Sequence, residues 1–423
     1  MTPSNDSDAA NHERTDVLIA GGGFVGLSLA LALARYAPKG FRIALVDRRP
    51  LDGEIHDARA SALTAASRNL LQAIGVWQKI ADRAQPIEAI EITDSPLDAP
   101  GPRPRFIGFD NTLEAAGGDA RSSAHVVENK PLLKALAESA AAEPAIHVIA
   151  PDAVSEALPG PFGMTCRLES GVTIESALLV AADGRRSQLR EKAGIKIVGW
   201  DYDQRGIVTT VAHERPHRGR AMQHFLPAGP FALLPLTGNR TSIVWAEEKD
   251  EAVRIMALDE DGFVAELQKR FGAHLGPLTL AGPRQDFPLS LHLARMFTAP
   301  RLVLIGDAAH GVHPLAGQGL NIGLRDVAAL TELLVEGARL GLDAGDSALL
   351  ERYARWRRFD SAISALAMDM MNRLFSNDSA IARSFRDFGL GLVDRLPGVK
   401  RFLVKEAAGG TGRLPKLLQG KPL

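Results

Sequence analysis

The sequence predicts an α/β protein in which a Rossmann-like dinucleotide-binding domain is interrupted by an inserted β-sheet. Three observations support this fold class. A glycine-rich turn joins a strand to a helix near the start of the chain, two later strands end in acidic residues, and alternating strand-like runs lie between them. With 423 residues, 46% apolar and 23% charged, the chain has an ordinary globular composition.

The first element is a strand, a glycine turn and a helix. The apolar run Asp16–Ala20 leads into the turn at 21–26, and an Ala- and Leu-rich helix follows over residues 27–36. A second apolar run, 41–46, ends at Asp47, which lies 21 residues after the last glycine of the turn. Dinucleotide-binding units have an acidic residue at a spacing of about 20.

The glycines and the acid have distinct expected roles. Gly21 would make the tight turn, and Gly23 would let the backbone approach a pyrophosphate. Gly26 would let the helix pack closely on the strand, and the helix N-terminus would bind the phosphates. Asp47 would accept hydrogen bonds from the adenosine ribose.

Two more strands end in acidic residues far downstream. The run Ala177–Ala182 ends at Asp183-Gly184, and the run Arg301–Ile305 ends at Gly306-Asp307. A proline and three glycines then precede the next helix, more than a simple turn requires. This surplus indicates that backbone there approaches something flat and polar.

The stretch from about 197 to 288 alternates like a sheet and would split the dinucleotide domain, which resumes near residue 285. Its predicted strands are Gly206–Ala212, Met222–Phe225, Phe231–Leu236 and Thr241–Ala246.

Several classes of function and location are disfavoured. A net charge of −1 and 5% aromatic residues argue against a nucleic-acid partner. A single cysteine, Cys166, and a polar start without a signal peptide favour the cytoplasm. The apolar stretch Phe24–Ala34 is too short to span a bilayer. No metal is expected from the i, i+3 pair His310 and His313, because Pro314 interrupts that segment and no acidic or cysteine cluster completes a site.

Together these motifs resemble the single-component flavin-dependent aromatic hydroxylases, which have the fold of p-hydroxybenzoate hydroxylase. The G-x-G-x-x-G, D-G and G-D motifs occur here in the same order. Within that family, four stretches are most similar to the ubiquinone-biosynthesis hydroxylases of the UbiH and UbiF type. They are "RASALTAASRNLLQAIGVW" (Arg59–Trp77), "VVEN" (Val126–Asn129), "GPFALLPL" (Gly229–Leu236) and "HPLAGQGLN" (His313–Asn321).

The resemblance implies non-covalent FAD and assigns residues to it. Asp307 would bind the ribityl chain, and the turn before the next helix would lie beside the isoalloxazine ring, where a helix N-terminus stabilises negative charge. Only glycine allows backbone so close to the ring. The flavin-ring and pocket candidates are His313, Pro314, Gly317, Gln318 and Gly319.

Further cofactor residues follow from the same resemblance. Arg59, expected in a helix further along the chain than the glycine fingerprint, would approach the FAD diphosphate, unless it is a solvated helix arginine. Glu128 and Asn129 would lie near the adenine and ribose, although a capped helix start explains them equally well. Asp183 and Gly184 would serve either FAD or the reducing nicotinamide.

The expected domain boundaries are as follows. Residues 1–15 would be a disordered tail; 16–80, 121–196 and 285–365 the discontinuous FAD-binding domain; 81–120 and 197–284 the substrate-binding mixed sheet; and 366–423 a basic, helical C-terminal region.

The implied activity is hydroxylation of a polyprenylated phenol or quinol in ubiquinone biosynthesis. NAD(P)H would reduce FAD, O2 would add at the flavin C4a, and the hydroperoxide would transfer OH to the ring. No protein nucleophile or base is assigned. The alternatives are hydroxylation of a small soluble aromatic acid anchored by Arg205 or Arg220, a flavin reductase acting on isoprenoid double bonds, and a non-catalytic flavoprotein subunit. Other ubiquinone-biosynthesis proteins are potential partners.

The end of the chain is basic and amphipathic. Residues 383–423 contain nine Lys or Arg and three acidic residues, interleaved with apolar side chains. Such a segment binds the anionic inner face of a membrane peripherally, or it packs on the flavin domain with its charges solvated.

Overall fold

Two large β-sheets, each with helices packed against it, form the described part of the computed structural model. The structure describes residues 13–94, 105–110, 112–114, 120–122, 124–311, 318–358 and 414–423. The strands are β1 (Glu13–Ala20), β2 (Ile43–Val46), β3 (Ala60–Thr64), β4 (Gln85–Pro86), β5 (Ala89–Asp94), β6 (Arg105–Asp110), β7 (Thr112–Glu114), β8 (Ala120–Ser122), β9 (Ala124–Glu128), β10 (Ile146–Ile149), β11 (Val154–Pro159), β12 (Met164–Leu168), β13 (Thr173–Ala181), β14 (Ile197–His213), β15 (Arg220–Leu226), β16 (Gly229–Leu236), β17 (Arg240–Glu248), β18 (Leu278–Leu280), β19 (Gln285–Ala294), β20 (Thr298–Ala299), β21 (Leu302–Leu304) and β22 (His310–Gly311).

Helices connect and cover these strands. The α-helices are α1 (Phe24–Tyr36), α2 (Ala65–Ala73), α3 (Asn129–Ala141), α4 (Gln188–Lys192), α5 (Lys249–Met256), α6 (Glu260–Phe271) and α7 (Gln318–Arg339), and residues 347–358 are also helical. Short 3-10 turns occur at Trp77–Lys79, Ala81–Arg83, Gly306–Ala308 and Lys416–Gln419.

The first sheet has the Rossmann-like arrangement. Its strand order is β10-β2-β1-β13, with β21 parallel to the last residues of β13 and the antiparallel pair β12-β11 beside its first residues. The pairs β10-β2, β2-β1 and β1-β13 are all parallel. Val17, Leu18 and Ile19 of β1 are fully buried, because helices cover both faces of such a sheet and its strands are continuously apolar.

The first strand begins earlier than the sequence indicated. Residues 13–15 were predicted to belong to a disordered tail, but they form the start of β1 and pair with Ile174–Ser176 of β13. The backbone hydrogen bonds of this pairing and the burial of Thr15 account for the difference. The predicted tail before residue 13 lies outside the described residues.

The second sheet is mostly antiparallel, in the order β22-β19-β14-β17-β16-β15-β5-β6, with β18 also paired to β14. The four strands predicted from the alternating pattern are confirmed as β14 to β17. Alternate side chains face opposite sides. Ile207, Phe231 and Trp245 pack against Phe263 of α6, which leaves Val208 and the residues beside it to face the first sheet.

β5 and β6, from residues expected to lie in the substrate domain, extend the second sheet, with β5 parallel to β15.

The other end of the second sheet lies close to the first domain. β22 begins two residues after the 3-10 turn Gly306–Ala308 and pairs with β19. The edge of the second sheet therefore reaches the turn that carries Asp307. Two smaller sheets, β3-β9-β4 and β7-β8, complete the strand pairing.

Residues 414–423 pack back on the first domain. Leu417 and Leu418 are buried, and the Asn69 amide of α2 donates to the Leu418 carbonyl at 3.0 Å. The Lys416 backbone N–H donates to the Glu332 carboxylate of α7 at 2.7 Å. The rest of the predicted helical C-terminal region, residues 366–413, lies outside the described residues.

Candidate active site

A cavity of about 350 Å³ lies between the two sheets. Six residues predicted from the sequence line it, and all come from the motifs of the first domain: Gly23, Arg59, Asn129, Gly184, Asp307 and Gly319. The second sheet contributes an opposing wall of Gly206, Val208, Ala232, Leu234, Val244, Phe287, Pro288 and Leu289. The folded chain thus brings together motifs that are nearly 300 residues apart.

The glycine turn has the close packing that its sequence requires. Gly21 has φ +119°, and a Cβ there would lie 2.3 Å from the Ala182 carbonyl oxygen. A Cβ on Gly26 would lie 1.9 Å from the Gly21 carbonyl oxygen. At Gly23 an added Cβ would meet no protein atom within 4 Å. Gly23 is the N-cap of α1 and makes no side-chain capping bond, so the first amides of this helix are available to an anion.

Asp47 follows β2, as predicted, and braces the glycine turn. Its Oδ2 accepts a hydrogen bond from the Gly22 backbone N–H at 2.6 Å, and its Oδ1 accepts one from the Arg49 backbone N–H at 2.8 Å. Each carboxylate oxygen has a second lone pair for another donor. The binding of a ribose by Asp47 therefore stays a prediction that this geometry permits.

Arg59 does not lie in a helix, as the sequence suggested. It immediately precedes β3, because the next residues pair with β9, and the helix begins only at Ala65. Its Nε and a terminal nitrogen donate to the Asp57 carboxylate at 2.8 and 2.7 Å. Burial raises the pKa of Asp57, but hydrogen bonds from Arg59 and Asn129 outweigh it and hold that pKa below its ordinary value.

The two residues predicted near the adenosine face different ways. The Asn129 amide donates to Asp57 at 3.0 Å and accepts a hydrogen bond from Ser61 at 2.8 Å, which keeps it at the cavity. Glu128 instead forms a two-point ion pair with Arg240 at the β16–β17 turn, with both contacts at 3.1 Å. Glu128 is not among the residues that line the cavity.

The D-G motif follows β13 at the edge of the cavity. Asp183 Oδ2 accepts a hydrogen bond from the Leu189 backbone N–H at 3.3 Å, whereas Oδ1 is buried without a partner among the described residues. Gly184 has φ +83°, a conformation that favours glycine. The next residue, Arg185, donates to the carbonyl and hydroxyl of Ser290 on β19.

The G-D motif forms the 3-10 turn after β21. Gly306 has φ +58°, and a Cβ there would lie 3.1 Å from Val25 Cγ2 of α1. Asp307 lies in the middle of the turn, is exposed and lines the cavity. This carboxylate is available to a ligand, which agrees with the predicted hydrogen bonds to a ribityl chain.

Three of the flavin-ring candidates, His313, Pro314 and Gly317, lie outside the described residues. Gln318 and Gly319 are the first residues of α7, and Gly319 lines the cavity. Asn321 fixes this end of the helix: its Oδ1 accepts hydrogen bonds from Thr64 and Ser67, and its amide donates to Ala62. The start of α7 is thereby fastened to β3 and α2.

Three side chains that hold the Gly306–Ala308 turn were not predicted. The Gly306 N–H donates to Asp326 at 2.9 Å, and the Asp307 and Ala308 carbonyls accept hydrogen bonds from His292 at 2.9 Å and Arg190 at 3.1 Å. Burial lowers the pKa of His292, which favours a neutral imidazole that donates through Nε2. Neither a glycine pattern nor an acid after a strand marks these residues; only their three-dimensional neighbours do.

These features fit FAD. An uncapped helix N-terminus and an open Gly23 suit a pyrophosphate, and the free carboxylate of Asp307 suits a polyol. A family model described as FAD binding domain matches residues 14–364. Ubiquinone hydroxylase UbiL of Rhodospirillum rubrum is 43% identical over 415 residues, which cover 96% of this chain and 93% of that protein. The chain belongs to the FAD-dependent hydroxylases of ubiquinone biosynthesis.

Other relatives of the hydroxylase agree. The 3-demethoxyubiquinol 3-hydroxylase of Escherichia coli is 33% identical over 94% of this chain and 99% of its own length. The mitochondrial ubiquinone biosynthesis monooxygenase COQ6 of Danio rerio is 30% identical over 95% of this chain and 91% of its own length. The family resemblance and FAD as cofactor, both predicted from the motifs, are confirmed.

Solved structures show the fold of the hydroxylase independently. p-Nitrophenol 4-monooxygenase PnpA from Pseudomonas putida DLL-E4 superposes with a TM-score of 0.76 at 20% identity, covering 95% of this chain and all of that one. PqsL, a probable FAD-dependent monooxygenase from Pseudomonas aeruginosa, gives a TM-score of 0.69 at 20% identity, covering 92% of this chain and all of that one. The predicted fold class is confirmed. None of the helices in the described residues combines the length and the hydropathy of a membrane-spanning segment.

Proposed function

We propose that the hydroxylase uses NAD(P)H and O2 to hydroxylate the aromatic ring of a polyprenylated phenol or quinol. The apolar wall of the cavity is the observation that carries this proposal. Val208 on β14, Val244 on β17 and Ala232 on β16 lie in one row across three neighbouring strands, with Leu234 beside them. Burial of apolar surface stabilises a hydrocarbon-bearing ring at such a wall by roughly 25 cal/mol per Å².

The same wall argues against a small aromatic acid as substrate. Such an acid would need a cationic anchor, and Arg205 and Arg220 were the candidates in the inserted sheet. Arg205 is paired with Asp286, and Arg220 lies 3.4 Å from Glu91. Neither is among the cavity-lining residues, and the described residues that the second sheet contributes to the cavity are all uncharged.

When bound, FAD supplies the redox and oxygen chemistry. The chain's own residues orient the cofactor and shelter the reaction. Asp307 would bind the ribityl chain, and the amides at the start of α1 would bind the diphosphate with Arg59 nearby. The first turn of α7 would face the flavin ring. The apolar wall opposite would hold the substrate ring and exclude water, which limits loss of reducing equivalents without hydroxylation.

The reaction class can be tested with labelled oxygen. The purified holoenzyme is supplied with NAD(P)H, ¹⁸O2 and either a prenylated phenol or 4-hydroxybenzoate. The masses of the products are then measured by mass spectrometry. We expect one ¹⁸O atom in the prenylated product, because one oxygen atom enters the ring and the other is reduced to water. We expect kcat/KM for 4-hydroxybenzoate to be lower by about a hundredfold or more, since it lacks the apolar contacts.

Other outcomes identify the alternatives. Labelled product from 4-hydroxybenzoate at equal efficiency would favour the small-acid hydroxylase. Reduction of an isoprenoid double bond without ¹⁸O would identify a reductase. If NAD(P)H reduces the bound FAD but no organic substrate is converted, the protein is a non-catalytic flavoprotein subunit and the proposal is wrong.

We also propose a peripheral contact with the inner face of the membrane through the basic segment at residues 383–423. A polyprenyl chain partitions into lipid, and the charge of this segment suits anionic headgroups. Within it, Leu417 and Leu418 are buried and Lys416 pairs with Glu336 at 3.1 Å. The contact would therefore be made by residues before 414.

Charge neutralisation tests the membrane contact. Changing Lys400, Arg401 and Lys405 to glutamine should weaken binding to anionic liposomes by up to about 3 kcal/mol, at about 1 kcal/mol per basic residue near the surface. Binding of the wild type should also decrease as salt rises. Co-sedimentation measures both effects.

A matched triple variant of the exposed Lys39, Lys130 and Lys134 should bind liposomes like the wild type. Equal losses in the two triple variants would point to non-specific attraction, and absence of wild-type binding would disprove the contact.

A further inference from the structure

We propose that Asp326 is a positioning residue for the flavin, which sets the place of Asp307 relative to the first turn of α7. The proposal rests on the proposed role of Asp307 in flavin binding. Asp326 is on α7, two turns beyond the residues that line the cavity, and is fully buried. It therefore acts through other groups and does not touch the substrate.

The Asp326 carboxylate collects donors from three separate elements. Its Oδ2 accepts hydrogen bonds from the Gly306 N–H at 2.9 Å and from His310 Nε2 of β22 at 2.6 Å. Its Oδ1 accepts one from Arg357 Nε at 2.7 Å, in the helical residues 347–358. Burial raises the pKa of this carboxyl, but His310 and Arg357 outweigh burial and hold the pKa below its ordinary value. The group is therefore a buried anion with partners on both oxygens.

The position of this anion connects the cofactor motifs. Gly306, one residue before Asp307, packs against Val25 of α1, with 3.1 Å from an added Cβ to Val25 Cγ2. Gly323, one turn before Asp326 on α7, packs against the same side chain, at 2.7 Å from an added Cβ. Val25 lines the cavity. The glycine turn, the G-D turn and α7 thus meet at one point, and the Asp326 bond to Gly306 fixes their spacing.

The other carbonyl groups of the G-D turn are also held by hydrogen bonds, so the turn has little freedom to compensate for loss of the bond at Gly306. The Asp307 and Ala308 carbonyls are held by His292 and Arg190, and the Ala309 carbonyl accepts a hydrogen bond from the Ala294 N–H at 2.7 Å. Loss of the bond at Gly306 would tilt the turn about these other attachments. The Asp307 carboxylate would then move relative to the helix that faces the ring.

The test compares Asp326→Asn with a matched buried acid. Glu247→Gln is the control, because Glu247 is also buried and bonds to Arg270 at 3.1 Å and Trp245 at 3.0 Å, on the far side of the second sheet. FAD release from each diluted holoenzyme is followed by flavin fluorescence, with visible circular dichroism of the bound flavin and thermal unfolding alongside.

We expect both variants to unfold at lower temperature. Only Asp326→Asn should release FAD faster, by about tenfold or more, and change the flavin dichroism, since a hydrogen bond to a charged group is lost. Release within about twofold of wild type with unchanged dichroism would show a merely structural role and overturn the proposal. If Asp326→Asn does not fold, Asp326→Glu keeps the negative charge but moves the carboxylate by one methylene relative to the Gly306 N–H. It should also release FAD faster and change the flavin dichroism; wild-type release and dichroism in that variant would overturn the proposal.

Asp307→Ala separates this proposal from its premise. If Asp307→Ala retains FAD normally, the assigned flavin site itself is wrong. If Asp307→Ala loses FAD while Asp326→Asn behaves like the wild type, the flavin site stands and only the role of Asp326 is disproved.

Discussion

Replacing Gly26 with alanine is expected to destabilise the fold strongly and to abolish FAD retention. The new Cβ would lie 1.9 Å from the Gly21 carbonyl oxygen, which is rigid backbone at the start of the glycine turn. Relief requires α1 to move away from β1, and the buried leucines of that helix would lose their packing. We expect a loss of roughly 3 kcal/mol or more in the free energy of unfolding, measured by denaturant titration of the apoprotein.

Gly23→Ala is the matched control and should behave in the opposite way. An added Cβ there meets no protein atom within 4 Å, and φ −81° with ψ −175° is ordinary extended backbone. The apoprotein should be as stable as the wild type or up to ~1 kcal/mol more stable. Because Gly23 lines the cavity, the methyl group should still weaken FAD binding. Normal FAD content in this variant would contradict the approach of a pyrophosphate to Gly23.

Asp307→Ala is expected to purify with little or no FAD while remaining folded. The carboxylate is exposed to the cavity, so its removal creates no void in the core. Loss of a charge-assisted hydrogen bond costs about 1.5–3 kcal/mol, which corresponds to roughly a tenfold to hundredfold weaker affinity. Flavin absorbance of the purified protein and titration of the apoprotein with FAD measure this change.

The chain offers a close control for Asp307. Asp82 is also exposed and also lies in the middle of a three-residue 3-10 turn, Ala81–Arg83, but it does not line the cavity. Asp82→Ala should therefore retain FAD fully. Equal FAD loss in both variants would mean that the turn and not the carboxylate matters.

The parts of the fold that the sequence predicted are those with local signals. The strand, glycine turn and helix at residues 16–36 are contiguous, and each residue type has a backbone or packing reason to be there. The alternating strands of the inserted sheet also follow from short-range pattern. By contrast, the strand character of the residues after Arg59 depends on pairing with β9, more than 60 residues later, and helix-like composition obscured it.

The candidate site was predicted only in outline for the same reason. Asp307 and Gly184 follow strands and are visible in the sequence. The side chains that hold the turn at Asp307 are not visible in this way: Arg190, His292 and Asp326 come from different elements and share no spacing. Glu128 is the opposite case. The motif around it in the sequence suggested a position near the adenosine, whereas its side chain pairs with Arg240 in the folded chain.

The burial of Leu417 and Leu418 fastens the end of the chain to two helices of the catalytic body. The Leu418 carbonyl is bound by Asn69 of α2, and the Lys416 amide is bound by Glu332 of α7. Asn321 joins the same two helices at the start of α7 through its bond to Ser67. Residues 414–423 therefore supply a second link between α2 and α7, and they support the helix whose first turn lines the cavity.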